Sequence, residues 1–93
     1  GKKIYDGFAS LIDVVQRKII RQYKGMTGSV KSVRISADEK WLATGGFDST
    51  ARVFDFQTAQ LAQTCRFPSR VEAVAFSPDN TFLAVGSHEA YIG

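Results

Sequence analysis

The sequence has few of the side chains that hold metals or form cross-links. Its 93 residues include one cysteine, Cys65, and one histidine, His88. A single cysteine cannot form an internal disulfide, and the two residues together cannot supply the four ligands of a structural zinc site. We therefore expect no metal and no cofactor, and we expect Cys65 to be a buried, unreactive thiol.

Long apolar segments and enzyme motifs are also missing. No run of about 18 apolar residues occurs, and the basic residues GKK are followed by mixed polarity, unlike the apolar core of a signal peptide. The stretch HEAYI begins like a zinc-protease helix but has Ile92 where the second histidine is required. Glycine-rich phosphate loops and nucleophile motifs are not found. We expect an intracellular protein, in the cytoplasm or nucleus, that does not bind membranes and is not an enzyme.

Positive charge is concentrated early in the sequence. Residues 1–40 hold nine Lys or Arg against four acidic residues (+5), and residues 41–93 hold three against five (−2), which gives the net charge of +3. A basic stretch such as QRKIIRQYK can bind RNA or another polyanion, although interleaved apolar residues are more typical of the solvent-facing side of a structural element. The candidate RNA-binding residues are Arg17, Lys18, Arg21, Lys24, Lys31 and Arg34.

An internal repeat runs through most of the chain. The stretch SVKSVRISADEKWLATGG, residues 29–46, aligns with RVEAVAFSPDNTFLAVGS, residues 70–87, at an offset of 41. Seven of these eighteen positions are identical, whereas unrelated sequences would share about one. In addition, DGFASLIDV aligns with DSTARVFDF at an offset of 42. The identical positions of the first alignment are Val30, Val33, Ser36, Asp38, Leu42, Ala43 and Gly45.

The repeat unit has the pattern of one antiparallel sheet. Residues 30–35, 41–44, 51–56 and 61–67 are short runs with strand character, and turn signals separate them. Residues 8–24 also allow a different prediction, a helix, because six apolar residues fall at helical spacing. They are Phe8, Leu11, Ile12, Val15, Ile19 and Tyr23. Several β-branched residues and the repeat favour strands here, and a helix remains the alternative.

These residues resemble the WD-repeat family of β-propellers. FSPDNTFLAVGS is similar to the first hairpin of that family, and LATGGFDSTARVFDFQTAQ is similar to the second hairpin and its exit. The resemblance implies an all-β fold of four-stranded antiparallel blades in an incomplete ring. It implies the third and fourth strands of a first blade in residues 1–28, one full repeat in 29–69, and the start of the next repeat in 70–93.

The resemblance has departures as well as matches. Phe54 and Ile12 stand where the family has tryptophan, and Met26 stands where a histidine is expected. The family's hydrogen-bond network of histidine, turn aspartate, strand Ser or Thr, and tryptophan is therefore expected to be only partly present. Thr44 and the turn residues Asp48 and Asp6 are its predicted members here.

By resemblance, the function is non-catalytic. Members of the family present loops of rigid blades to other proteins, so we expect a scaffold segment that mediates protein–protein interaction within a larger assembly. About two blades cannot close a ring of four to eight, so we expect either a segment of a longer propeller or blades supplied by other copies or a partner, and no stable isolated monomer. The alternative is a basic subunit of a ribonucleoprotein. The predicted partner contacts lie in the loops KGMTGS, GFDST, RFPSR and SHEA: Met26, Phe47, Phe67, Arg70 and His88.

Overall fold

The computed structural model describes residues 7–88, which form three antiparallel sheets. The first sheet pairs β1 with β2, the middle sheet has the order β3-β4-β5-β6, and the third sheet pairs β7 with β8. None of the described residues forms a helix long and apolar enough to cross a lipid bilayer. The strands are β1 (Gly7–Asp13), β2 (Lys18–Met26), β3 (Val30–Ile35), β4 (Trp41–Gly46), β5 (Thr50–Asp55), β6 (Leu61–Arg66), β7 (Val71–Phe76) and β8 (Leu83–Ser87).

The segment with the ambiguous sequence pattern is a hairpin, which confirms the predicted strands and shows that the helical alternative is wrong. β1 and β2 pair antiparallel, with Ile12 opposite Ile19 and Ala9 opposite Tyr23. Paired β-branched side chains pack well on a pleated surface and lose rotamer freedom in a helix, so this pairing suits the sequence better. Tyr23 is fully buried in the strand arrangement.

The internal repeat extends to the hydrogen-bond register. The irregularity between Leu11 and Ile12 in β1 has its equivalent between Val53 and Phe54 in β5, 42 residues later. The irregularity between Val30 and Ser32 in β3 recurs between Val71 and Ala73 in β7, 41 residues later. Such bulges fix register and bend a strand. β1–β2 is therefore the structural equivalent of β5–β6, and β7–β8 that of β3–β4.

The hairpin turns repeat as well. Ser36 Oγ donates to Asp38 Oδ1 at 2.6 Å, and Ser77 Oγ donates to Asp79 Oδ1 at 2.7 Å. The residue that follows each aspartate, Glu39 or Asn80, has a positive φ, at 58° and 64°. Asparagine tolerates this left-handed conformation better than glutamate does, so Glu39 introduces more strain than Asn80.

The first hydrophobic core lies between the first and middle sheets. Tyr23 is edge-on to Phe54, with ring centroids 5.6 Å apart, and both side chains are fully buried. Burial of each of these side chains away from water stabilises the fold by on the order of 2 kcal/mol. The Tyr23 hydroxyl is also satisfied, because it donates to the Phe56 carbonyl at 2.6 Å. The buried members of this cluster are Ala9, Tyr23, Met26, Leu42 and Phe54.

The second core joins the middle sheet to the third sheet and is built from smaller side chains. Ala43 and Ala51 of the middle sheet pack against Val71 and Val74 of β7. The approach is close enough that a Cβ on Gly45 would overlap the Val71 side chain. Glycine is therefore required at this position by packing between sheets.

The outer edge of the middle sheet is open among the described residues. All six residues of β6 are exposed, including Cys65. The expected burial of Cys65 is therefore wrong. In the third sheet, β7 packs mainly against β3 and β4, so β6 and its thiol are left uncovered.

Candidate functional site

Loops from all three sheets meet at one end of the structure, which we call the rim. It consists of residues 27–29, 47–49 and 67–70 together with His88. Successive strands alternate in direction, so the loops that follow β2, β4, β6 and β8 all lie on the same side. Backbone hydrogen bonds then join them in pairs: Phe47 N donates to Ser29 O, Phe67 N to Ser49 O, and His88 N to Arg70 O, at 2.8–2.9 Å. These bonds make the rim a fixed surface.

An aromatic ring and an arginine side chain are held together on the rim. Phe47 is 53% exposed, and the guanidinium carbon of Arg70 lies 5.6 Å from the centre of its ring. Arg70 Nε in turn donates to Glu72 Oε1 at 2.6 Å, and both of these side chains are substantially exposed. The loop residue Phe47 and the strand residue Glu72 thus position Arg70 from two sides.

Several basic side chains lie close to Glu72 on the rim. The hydrogen bond from Arg70 lowers the pKa of the Glu72 carboxyl, and partial burial opposes this shift. The positive charges of Arg70, Lys31 and His88 lower the pKa further. Arg70 and Lys31 face the single carboxylate of Glu72, and Asp48 is paired with Arg52, so the surface around Phe47 carries a surplus of positive charge.

A buried ion pair supports the rim from below. Asp48 Oδ2 accepts from Arg52 Nη1 at 2.6 Å and from the Thr27 N–H at 3.1 Å. The side chains of Arg52 and Asp48 are only 9% and 8% exposed. Burial raises the pKa of Asp48, but the hydrogen bonds from Arg52 and Thr27 and the charge of Arg52 outweigh it, so the net pKa lies below the ordinary 3.8. Asp48 thus lies in a turn and connects two sheets.

The other described member of the predicted network, Thr44, has no hydrogen bond there. Thr44 is completely buried on β4, and its hydroxyl oxygen has no partner among residues 7–88. Phe54 stands in the position of the family's tryptophan, two residues from Arg52, which pairs with Thr44, and a phenyl ring cannot donate a hydrogen bond. Arg52 forms the polar contact to Asp48. Asp6 lies outside the described residues.

The rim does not present all five predicted contacts. Phe47 and Arg70 are exposed and adjacent, and His88 is exposed beside them. Phe67 is half-buried and packs against the second core. Met26 is 3% exposed within the first core, which corrects the expectation that its side chain contacts a partner. Its apolar side chain is a buried member of that core.

The six basic residues proposed for RNA binding do not form one patch. Lys18 and Lys24 stand six residues apart on β2, which corresponds to about 20 Å along a strand. Arg21 is half-buried and donates to the Phe56 carbonyl at 3.0 Å. Arg34 donates to the carbonyl of its own neighbour, Val33. Arg17 lies in the β1–β2 turn, at the opposite end from Lys31.

Sequence reasoning missed Glu72 and Arg52. Glu72 follows Arg70 by two residues, the spacing that places side chains on one side of a strand. Arg52 precedes Phe54 by the same spacing and therefore shares its buried face. Period-two alternation could have identified both residues. Among residues 7–88, no cluster of three or more His, Cys, Asp or Glu side chains is placed to hold a metal ion.

Comparisons with known proteins identify the repeat. A family model described as "WD domain, G-beta repeat" matches residues 17–55 and 60–92. Protein groucho of Drosophila melanogaster is 30% identical over 87 residues, which cover 94% of this chain and 12% of that protein. The Cps50 (Swd1) β-propeller domain of Myceliophteria thermophila superposes with a TM-score of 0.81 at 16% identity, over 87% of this chain and 26% of that one. The chain thus spans a small part of each relative's length.

Proposed function

This chain belongs to the WD40-repeat family, and on that premise we propose that it is a non-catalytic segment of a β-propeller scaffold that binds a protein partner through its rim. WD-repeat propellers are generally scaffolds that bind other proteins. We also propose that residues 1–28 belong to one blade, that 29–69 form a complete repeat, and that 70–93 begin the next. The three sheets support this division.

The contact between Phe47 and Arg70 is the observation that supports the rim as the binding surface. An exposed aromatic ring beside an exposed arginine is the kind of pair that dominates protein interfaces, because the two provide a large apolar area and several hydrogen-bond donors. Their position is fixed by Glu72 and by the Phe47–Ser29 backbone bond, so little side-chain entropy is lost on binding. The surplus positive charge favours a partner with acidic and apolar residues.

A site-specific photo-crosslinking experiment tests this proposal. A photoreactive phenylalanine analogue replaces Phe47 in one variant and exposed Val15, in the β1–β2 turn, in a matched control. In cells that express the protein naturally, we expect a discrete protein adduct at position 47 that is absent at position 15 and that Arg70→Ala reduces at least about tenfold. Equal adducts at both positions, or none at position 47, would contradict the proposal.

A salt titration separates a protein partner from a polyanion. Once an adduct partner is identified, its binding is measured at about 50 and 300 mM salt, beside a single-stranded RNA probe. A protein interface centred on Phe47 is expected to weaken only several-fold, whereas neutralisation of several phosphates would reduce RNA affinity by orders of magnitude. Nothing in the described residues favours the ribonucleoprotein alternative, because the six basic residues are dispersed.

A further inference from the structure

The Arg70 side chain on the rim has hydrogen-bond donors that no described residue uses. Its Nε donates to Glu72 Oε1 at 2.6 Å, and its two terminal nitrogens have no acceptor among residues 7–88. An arginine carries its N–H donors in a rigid plane, and the two terminal nitrogens can together bind both oxygens of one carboxylate. The Arg70 side chain is 45% exposed, so a partner can reach these donors.

Two contacts fix the orientation of the unused donors. The guanidinium carbon of Arg70 lies over the face of the Phe47 ring, 5.6 Å from its centre, and the Glu72 carboxylate accepts from the Nε side. Phe47 is itself anchored, because its N–H donates to Ser29 O at 2.9 Å. Less side-chain entropy is therefore lost when Arg70 binds a partner. Glu72 acts as a positioning residue for Arg70.

The charges around Arg70 determine which anion the site accepts. Lys31 is exposed on β3 and lies close enough to Glu72 to lower the pKa of the Glu72 carboxyl. Arg70 and Lys31 are positive, Glu72 is negative, and His88 is neutral at pH 7, so one positive charge is left without a counter-charge. One carboxylate neutralises it. A phosphate monoester carries about −1.5 to −2 and would be repelled by the Glu72 carboxylate on the same guanidinium.

We propose that Arg70 binds the carboxylate of an aspartate or glutamate side chain in the protein partner, and that Glu72 selects this carboxylate over a phosphate. This inference rests on the proposed function of the rim and names the chemistry of the partner there. The two terminal nitrogens of Arg70 donate to the two carboxylate oxygens, while Nε continues to donate to Glu72. Charge-assisted hydrogen bonds of this kind are stronger than bonds between neutral groups.

Phe47 determines where the acidic residue lies in the partner's sequence. The Phe47 side chain is 53% exposed, so part of its ring is available to an apolar side chain of the partner beside the guanidinium. In an extended segment, side chains two residues apart lie on the same side and about 7 Å from each other, whereas adjacent ones point to opposite sides. We therefore expect the partner segment to carry an acidic residue two positions from an apolar one.

A displayed library of random peptides tests the predicted sequence. Peptides are selected on the full-length natural protein, and those that also bind the Phe47→Ala variant are removed. The remaining peptides are expected to share an aspartate or glutamate two positions from an apolar residue. A consensus without an acidic residue would overturn the inference, and so would the recovery of no Phe47-dependent peptide. Photo-crosslinking at position 47 tests rim binding separately, so the proposed function can survive either result.

Substitutions in the protein and in a selected peptide test the role of Arg70. Replacement of the peptide's acidic residue by its amide is expected to raise the dissociation constant at least about tenfold for the natural protein. The same loss is expected for Arg66→Met, the control, because Arg66 is exposed at the end of β6 and outside the rim. For Arg70→Met the loss is expected to be less than about twofold, because the carboxylate has no guanidinium to bind. An equal loss for Arg70→Met would overturn the inference.

Glu72→Gln tests the selection against phosphate. Glutamine keeps an oxygen that can accept from Arg70 Nε and removes the negative charge. Replacement of the peptide's acidic residue by phosphoserine is expected to weaken binding to the natural protein at least about threefold and to strengthen binding to Glu72→Gln by a similar factor. A natural protein that prefers phosphoserine, or the same preference in both proteins, would overturn the role of Glu72.

Discussion

The ion pair between Asp48 and Arg52 makes a measurable contribution to stability that Asp48→Asn and Arg52→Met can test singly and together. The two side chains are 8% and 9% exposed and 2.6 Å apart. Removal of one partner leaves the other charge buried without its counter-charge, which costs about 3 to 5 kcal/mol. This is a large part of the roughly 5 to 15 kcal/mol that holds a typical domain together.

The assay is urea unfolding followed by fluorescence of the single tryptophan, Trp41, which is half-buried. Protein concentration is the same in every measurement, because any association between molecules would add to the apparent stability. Each single variant is expected to lose about 3 kcal/mol. The double variant is expected to lose at least about 2 kcal/mol less than the sum, because it contains no unpaired charge.

The pH dependence gives an independent measure of the same pair. The pKa of Asp48 is lower in the folded protein than its ordinary 3.8. Its contribution is therefore complete above the ordinary value and is lost as pH falls through the lowered value. Asp48→Asn is expected to flatten the stability profile below about pH 4. A coupling energy below about 0.5 kcal/mol, with an unchanged acid profile, would refute the buried pair.

Three further predictions concern substitutions of Gly45, Thr44 and Glu39, and the first two have matched control substitutions. Gly45→Ala is expected to destabilise by about 2 kcal/mol because a Cβ overlaps Val71, whereas Gly86→Ala, at the equivalent position, meets nothing closer than 3.9 Å and is expected to be neutral in urea unfolding. Thr44→Val is expected to stabilise the fold by about 1 kcal/mol, because it removes a buried hydroxyl that has no partner among residues 7–88. Thr50→Val is expected to destabilise it by about 1 kcal/mol, because the Thr50 hydroxyl donates to a backbone carbonyl at 3.0 Å. A destabilised Thr44→Val variant would show that the Thr44 hydroxyl has a partner. Glu39→Gly is expected to raise the melting temperature by relieving a φ of 58°, and an unchanged or lower value would argue against strain there.

Much of the fold could be predicted because the same pattern of strands and turns occurs twice in the sequence. Alternation of apolar residues and the turn sequences located the strands, and the correspondence at 42 residues favoured strands over a helix in residues 8–24. A single periodicity could not decide that question, because Leu11 and Tyr23 fit a helical face as well as a strand. Pairing of Ile12 with Ile19 decided it, and pairing is a property of two segments together.

Less of the candidate site could be predicted. Phe47 and Arg70 were both identified as loop residues, but their contact depends on how the third sheet packs against the middle one. Met26 was predicted to contact a partner because it is an apolar residue in the predicted loop KGMTGS, whereas its side chain lies in the core. Arg52 was not identified, because its burial depends on the carboxylate of Asp48 on the same side.

The sequence by itself determined the local structure: the strands, the turns, the repeat and, through them, the family. These features depend on backbone preferences and on side-chain alternation, which act over a few residues at a time. Only the tertiary structure decided which side chains are buried between sheets and which charges are paired. Those outcomes depend on distances between segments far apart in the chain, and the spacing of residues along one strand does not contain them.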